Sequence, residues 1–97
     1  MRVELHPKAS AELAAQVDYY EHREPGVGER FYREVMGMLR WIADNPEIPR
    51  WRRNHRRVNL RIFPFYIAYV VDGDLIRVLA IADGRRRPGY WFERLSS

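Results

Sequence analysis

Two long apolar runs near the C-terminal end constrain the fold of this chain more than any other feature. Residues 65–71 and 75–82 are rich in β-branched and aromatic side chains, and the turn sequence Asp72-Gly73-Asp74 separates them. Such runs are typical of central strands that are covered at least partly on both faces. Because Asp-Gly is a strong hairpin signal, we predict a β-hairpin at the centre of a sheet.

The first half of the chain has the pattern of one short strand and two helices. Residues 1–5 alternate apolar and charged side chains, as a half-buried strand does. Pro7 suits the first position of a helix, because the N–H that it lacks would have no partner there. Apolar residues then recur at helical spacing over residues 9–20 and again over residues 27–42, with a Pro-Gly breaker between the two stretches.

The remaining strand completes the expected order β-α-α-β-β-β. Val58, Leu60 and Ile62 alternate with polar residues, which predicts a strand over residues 57–62 with one wet face. Two helices joined by about five residues pack antiparallel as a hairpin. We therefore predict an α+β fold in which a helix hairpin packs on a mainly antiparallel four-stranded sheet, in one domain of residues 1–97.

The composition excludes several classes of site. The chain has no cysteine, so it has neither disulfides nor thiolate chemistry. The histidines, His6, His22 and His55, lack metal-ligand spacing, and we expect no metal site. No apolar run approaches the ~18 residues of a membrane span, and the first residues lack the apolar stretch of a signal peptide. We expect a soluble, cytoplasmic protein.

Positive charge is concentrated in the second half of the chain. Residues 1–48 carry six basic and nine acidic groups, whereas residues 49–97 carry eleven basic and four acidic groups. Residues 50–57, the basic loop, contain five arginines interleaved with Trp51 and His55. This cluster favours an anionic partner, either nucleic acid or an acidic protein segment, and a solvated loop is the plainer alternative.

A second basic cluster follows the last predicted strand. Residues 84–97, the C-terminal tail, begin with Gly84 and three adjacent arginines and continue with Tyr90, Trp91 and Phe92. A core has no use for three adjacent arginines, so we interpret them as contacts to a target. For Trp91 and Phe92, capping of the sheet edge is an equally good interpretation.

Acid–base catalysis has little support in the sequence. Phosphodiester cleavage needs two groups that transfer protons and cations that stabilise the developing charge. The cations are abundant, but His55 and Tyr90 are the only proton-transfer candidates in the basic half, and neither lies in a recognisable catalytic spacing. Paired carboxylates, glycine-rich phosphate loops and Ser-His-Asp arrangements are absent.

Short motifs along nearly the whole chain carry a resemblance to a known family. They are Val3-Glu4-Leu5-His6-Pro7, Ala11-Glu12-Leu13, Asp18-Tyr19-Tyr20, residues 25–31, residues 42–46, Arg56-Arg57-Val58, Phe63-Pro64-Phe65, Tyr69 and residues 84–91. In their number and order they resemble the ParE branch of the ParE/RelE toxin superfamily, whose members are also called plasmid stabilisation proteins.

The resemblance implies the toxin of a type II toxin–antitoxin system. Its partner would be a ParD-like antitoxin, with a DNA-binding N-terminal part and an acidic C-terminal segment that folds onto the toxin. Proteins like ParE inhibit DNA gyrase through protein–protein contact. The resemblance therefore implies no enzymatic activity, no cofactor and no direct DNA binding by the toxin alone.

The residues implied in these contacts fall into two groups. The target surface would comprise Arg85, Arg86, Arg87, Tyr90 and Trp91. The antitoxin would bind the exposed side of the helix hairpin and the basic loop, through Tyr19, Trp41, Trp51, Arg52, Arg53, Arg56 and Arg57.

The RelE branch, whose members cut messenger RNA on the ribosome, gives the alternative function. Compared with its pattern, Arg57 keeps one basic position, but the next basic position falls at Asn59 and a mid-strand arginine falls at Tyr66. Efficient cleavage would then require Arg61 to replace a missing cation.

Such a nuclease would use Arg57, Arg61, Arg86 and Tyr90, with His55 or Tyr90 transferring protons. A nucleic-acid-binding module without toxicity is a third interpretation, and steep salt dependence of binding would favour it.

Overall fold

The computed structural model describes residues 1–97. In chain order its elements are β1 (Arg2–Leu5), α1 (Pro7–Arg23), α2 (Val27–Asp44), β2 (Arg56–Asn59), β3 (Phe65–Asp72), β4 (Leu75–Asp83) and a 3₁₀ helix (Phe92–Ser96). The strands form one sheet in the order β1-β4-β3-β2, in which β1 and β4 are parallel and the other pairs antiparallel. The predicted α+β fold and the order of its elements are confirmed.

The helices α1 and α2 pack closely as a hairpin, because a glycine lies at the contact between them. Pro7 is the first residue of α1, and the His6 ring accepts a hydrogen bond from the Lys8 N–H at 3.0 Å as a cap. Gly26 precedes α2 with a φ of 93°, which favours glycine. At Gly28 a Cβ would lie 2.4 Å from the Val17 carbonyl oxygen, so only glycine permits this helix contact.

The sheet has an apolar core on each face. On the helix side, α2 buries Phe31, Val35 and Ile42 against β3 and β4. On the other side, a smaller core is built from Tyr66, Ala68, Leu79, Ala80, Ala82 and Trp91. The tail therefore covers the sheet face that the helices leave open.

A β-bulge in β4 marks the end of its pairing with β1. Ala68 pairs with Ala80 and Tyr69 pairs with Val78, so Leu79 is the extra residue. The last β1 pair is Leu5 with Val78, and the rest of β4 has no strand on that side. Side chains bind backbone groups along this open edge of β4: Glu12 accepts a hydrogen bond from the Ile81 N–H, and Arg94 donates one to the Leu79 carbonyl.

The predicted strand over residues 57–62 is wrong at its C-terminal end. β2 stops at Asn59, residues 61–64 bend away, and Ile62 is 76% exposed instead of facing the core. The Leu60 N–H already bonds the Phe65 carbonyl at 2.8 Å, which closes the connection to β3 early. The alternation of apolar residues continues to Ile62, beyond the end of β2 at Asn59, and the predicted strand was therefore too long.

Candidate functional site

The carboxylate of Glu12 on α1 ties the C-terminal tail to the rest of the fold. It accepts hydrogen bonds from the Tyr90 hydroxyl at 2.7 Å, from the two terminal nitrogens of Arg94 at 2.9 and 3.0 Å, and from the Ile81 N–H at 3.1 Å. The side chains of Arg94 and Glu12 are 7% and 19% exposed. Four donors thus meet one largely buried carboxylate, and the tail is fixed against α1 and β4.

Tyr90 joins this buried anchor to the tail surface. Burial, followed by the hydrogen bond to Glu12, raises the pKa of Tyr90, so its hydroxyl stays protonated as a donor. The guanidinium carbon of Arg86 lies 3.8 Å from the centre of the Tyr90 ring, in cation–π geometry. The structure therefore brings Arg86 and Tyr90, which were both predicted for the target surface, into direct contact.

The three tail arginines differ in what their guanidinium groups already bind. Arg85 makes two side-chain hydrogen bonds to Asp83 at 2.9 Å each, and these bonds lower the pKa of Asp83. Arg86 has no carboxylate partner and lies on Tyr90. Arg87 is exposed and takes part in no ion pair or side-chain hydrogen bond. Arg86 and Arg87 are therefore the free cations of this surface.

Trp91 does not belong to that surface. Its side chain is 1% exposed, and its indole nitrogen donates a hydrogen bond to the Tyr66 hydroxyl at 3.0 Å. The rings of His55 and Phe92 pack edge-on against it, with centroids at 4.6 and 4.9 Å. The prediction of target contact is wrong for this side chain, because the second core buries it. The alternative, capping of the sheet edge, is also inexact, since Trp91 packs on the sheet face rather than at its edge.

The residues of the nuclease interpretation do not form one constellation. Arg57 and Asn59 lie with Tyr66 on the sheet face away from the helices, where the Arg57 guanidinium stacks 3.9 Å from the Tyr66 ring centre. Arg61 instead lines a groove against α2. It cannot replace the cation missing at Tyr66, because the two side chains are on different sides of the sheet.

Both proton-transfer candidates already make hydrogen bonds within the fold. His55 is buried, and one ring nitrogen lies 2.7 Å from the Asn54 side-chain oxygen. Burial first, and then the charges of Arg52 and Arg57, lowers the pKa of His55. The Tyr90 hydroxyl donates to Glu12. Both candidates are thus engaged in contacts within the fold.

A groove between α2 and the end of β2 forms the second candidate surface, which we call the helix–strand groove. One part has a volume of about 340 Å³ and is lined by Glu34, Gly37, Met38, Trp41, Val58 and Arg61. An adjoining part of about 520 Å³ shares Glu34 and Arg61 and adds Arg30, Arg33, Ile62 and Phe63. The groove borders β2 at Val58 and continues past its end, and β2 is the strand at the sheet edge with no partner on its outer side.

The residues predicted for antitoxin contact are spread over the molecule. Trp41 lines the helix–strand groove, whereas Tyr19 lies exposed on α1 beside Arg23. In the basic loop, Trp51 is 53% exposed and carries Arg56 at 5.6 Å from its ring centre. The structure thus brings together only part of the predicted set.

Within the basic loop, the arginines have unlike roles. Arg52 and Arg53 are exposed and belong to no ion pair. Arg56 donates to the carbonyls of Pro49 and Glu47 at 2.6 and 3.2 Å, so its guanidinium holds the loop itself. Arg57 lies on the other sheet face, on Tyr66.

Several residues of these sites were not singled out from the sequence. Glu12 and Arg94 are 82 positions apart, and no local pattern connects them. Met38 follows the helical spacing of apolar residues over 27–42, yet it is half-buried and lines the groove, while Leu39 is buried. Glu34 caps the chain after β2 by accepting hydrogen bonds from the N–H groups of Arg61 and Ile62.

Comparisons with known proteins agree with this fold. Residues 3–88 match the family model described as the ParE toxin of the type II toxin–antitoxin system parDE. A solved structure titled as the chromosomal ParDE TA system from P. aeruginosa is similar with a TM-score of 0.63 and 22% identity, over 86% of this chain and 95% of that one. No curated protein matches the chain. None of its helices is both long and apolar enough to cross a bilayer.

Proposed function

The chain belongs to the ParE toxin family of type II toxin–antitoxin systems, and we propose that it inhibits DNA gyrase in the cytoplasm and is neutralised by a ParD-like antitoxin. The free cations of the tail, Arg86 and Arg87, carry the proposal for the target. The helix–strand groove supports the proposal for the antitoxin.

The tail surface has the properties of a protein-binding site. Arg86 and Arg87 are exposed and have no carboxylate partner, and the Tyr90 ring holds the Arg86 guanidinium in place. Arginine is enriched at interface positions that contribute most to binding, because its planar fork makes several hydrogen bonds at once. A gyrase surface that presents carboxylates would complete these hydrogen bonds.

Arg85 is expected to contribute less to the same contact. Its guanidinium is already bound to Asp83 through two hydrogen bonds. Contact with gyrase would have to break that pair or leave the Arg85 charge neutralised. The three adjacent arginines therefore are not equivalent, and Arg86 and Arg87 supply the unpaired charge.

The helix–strand groove fits an amphipathic antitoxin segment. Its floor is apolar, with Met38, Trp41 and Val58, and its rim carries the cations Arg30 and Arg61. An amphipathic helix lays its apolar side into such a groove, and an extended segment pairs with an open strand edge. A C-terminal antitoxin segment with apolar and acidic residues would bury the apolar floor and pair its carboxylates with the rim.

Exposed residues of the basic loop extend this contact in the proposal. Trp51, Arg52 and Arg53 are free to meet the acidic segment. A segment that neutralises this region would balance part of the positive charge concentrated in residues 49–97. Arg56 and Arg57 are left out, because the loop itself binds Arg56 and the sheet face holds Arg57.

The proposal is tested by following DNA supercoiling by purified gyrase with the wild-type toxin, alone and after addition of the antitoxin encoded beside it. Loss of supercoiling, or accumulation of cleaved DNA, that the antitoxin reverses is the expected result. Full supercoiling at micromolar toxin would exclude gyrase as the target. Inhibition that the antitoxin leaves unchanged would exclude neutralisation by that partner.

A further inference from the structure

A continuous path of contacts leads from the buried carboxylate of Glu12 to the surface cation Arg86. The shortest of the four hydrogen bonds to this carboxylate comes from the Tyr90 hydroxyl, at 2.7 Å. The Arg86 guanidinium lies over the ring of the same tyrosine, with its carbon 3.8 Å from the ring centre. Tyr90 thus contacts Glu12 through its hydroxyl and Arg86 through its ring.

The Tyr90 ring is the only described contact that orients the Arg86 guanidinium. Arg86 makes a backbone hydrogen bond to the Asp83 carbonyl at 3.1 Å, but its side chain takes part in no hydrogen bond and no ion pair. Its neighbour Arg85 has a carboxylate for this purpose. An exposed arginine without such a contact samples many rotamers, and ordering them opposes binding.

We propose that Glu12 is a positioning residue for the target-binding surface: by fixing the Tyr90 hydroxyl it holds the ring that orients Arg86. The inference rests on the proposed function, since it assigns Arg86 to the contact with gyrase. In this arrangement Glu12, on α1, influences how tightly Arg86 binds gyrase, although the two side chains do not touch. Preorganisation of this kind raises affinity by lowering the entropy lost on binding.

A purely structural role of Glu12 is the competing explanation. Glu12 also accepts hydrogen bonds from Arg94 and Ile81, and these contacts stabilise the tail and the edge of β4. The two roles separate in Tyr90→Phe, which removes the hydroxyl alone. The ring, the Arg94 pair and the Ile81 bond all remain in this variant.

The positioning role is tested first in the free toxin, without gyrase. Protons of the Arg86 side chain over the Tyr90 ring are expected to have ring-current shifts in NMR spectra, and Tyr90→Leu gives their value without a ring. In Tyr90→Phe we expect these shifts to move toward the Tyr90→Leu values. Tyr32→Phe, which removes the hydroxyl of an exposed tyrosine on α2, is the matched control. Unchanged Arg86 shifts in Tyr90→Phe would overturn the proposal.

The second test measures the coupling between Tyr90 and Arg86 in gyrase inhibition. Tyr90→Phe is expected to raise the inhibitory concentration about two- to fivefold, as when a cation–π contact at an exposed site is lost. In an Arg86→Ala background the same substitution should have no effect, whereas in an Arg87→Ala background the factor should persist. If Tyr90→Phe raises the inhibitory concentration by the same factor in the wild type, in Arg86→Ala and in Arg87→Ala, the positioning role is overturned.

The two tests separate the inference from the function on which it rests. If the wild-type toxin leaves gyrase active, the proposed target is wrong, and the NMR measurement alone decides whether Tyr90 orients Arg86. If the toxin inhibits gyrase but the factors are equal in all backgrounds, the function stands and Glu12 is structural. Thermal unfolding of each variant shows that the compared proteins are folded.

Discussion

The indole nitrogen of Trp91 donates a hydrogen bond to the hydroxyl of Tyr66 on β3, at 3.0 Å, in the core on the sheet face away from the helices. Both side chains are nearly inaccessible to solvent, with 1% and 5% exposure. The C-terminal tail is therefore part of the folded core, and its surface arginines are attached to a fixed base.

Removal of one oxygen atom, the Tyr66 hydroxyl, eliminates the hydrogen bond from Trp91. Tyr66→Phe leaves the Trp91 N–H buried without an acceptor, which costs about 1–3 kcal/mol of the free energy of unfolding. Urea denaturation measures the loss, and Tyr32→Phe on the exposed side of α2 is the control, expected to change little. Equal stability of Tyr66→Phe and the wild type would show that this bond does not hold the tail.

The Glu12–Arg94 pair is expected to be the strongest single link between the tail and α1. Arg94→Met removes two of the four donors of the Glu12 carboxylate, its only cation, and the donor to the Leu79 carbonyl, and breaking a buried pair costs about 3–5 kcal/mol. Lys8→Ala removes the partner of Glu93 in an exposed pair at 3.9 Å and should cost about 0–1 kcal/mol. Denaturant unfolding that gives the two variants the same loss would contradict this ranking.

Protonation of His55 should destabilise the protein in mild acid. Its folded-state pKa is lowered by burial and by Arg52 and Arg57, while in the unfolded chain the pKa is about 6.5. Below that pH the unfolded state binds more protons, so stability is full above it and is lost as the pH falls toward the folded-state pKa. Burial also lowers the pKa of His6, which adds to the same loss.

The free energy of unfolding, measured between pH 7 and pH 5, checks this dependence. His55→Gln should flatten the decline and leave the part that belongs to His6. A decline of the same size in His55→Gln would show that His55 does not cause it.

Trp41 should dominate the affinity for the antitoxin. It is the largest apolar side chain lining the helix–strand groove and is still 38% exposed in the free toxin. Trp41→Ala is expected to raise the Kd at least ~30-fold, the factor that corresponds to the roughly 2 kcal/mol of an interface hot spot. Isothermal titration calorimetry measures it, with Tyr32→Ala as the control outside the groove.

An unchanged Kd in Trp41→Ala would place the antitoxin elsewhere. The variants Tyr19→Ala and Trp51→Ala would then show whether the partner covers α1 or the basic loop. Both side chains are more than half exposed.

The sequence predicted most of the fold because its strongest signals are local. The helical spacing and Pro7 placed both helices, and the two apolar runs around Asp72-Gly73 placed the hairpin of β3 and β4. The end of β2 was misplaced because alternation describes which side chains are apolar, not where the backbone turns. Ile62 follows the pattern and yet lies exposed, since the chain closes early between Leu60 and Phe65.

The candidate sites were only partly predictable because they depend on distant pairs. The charge clusters pointed to the tail and the basic loop, but sequence gives no measure of which arginine has a partner. Arg85 is bound by Asp83, Arg86 by a ring, and Arg87 by neither. The depth of Trp91 depends on Tyr66, 25 positions earlier, and no motif links the two.

Arg86 and Arg87 are the residues through which we propose that the toxin binds gyrase, and DNA supercoiling by purified gyrase tests this assignment. The assay compares the wild-type toxin with the double variant Arg86→Ala/Arg87→Ala and with the single variant Arg85→Ala. We predict inhibition by the wild type and by Arg85→Ala, and at least ~30-fold weaker inhibition by the double variant, as expected when interface hot spots are lost. A double variant as inhibitory as the wild type would contradict the assignment of Arg86 and Arg87, and a wild-type toxin without effect would exclude gyrase as the target.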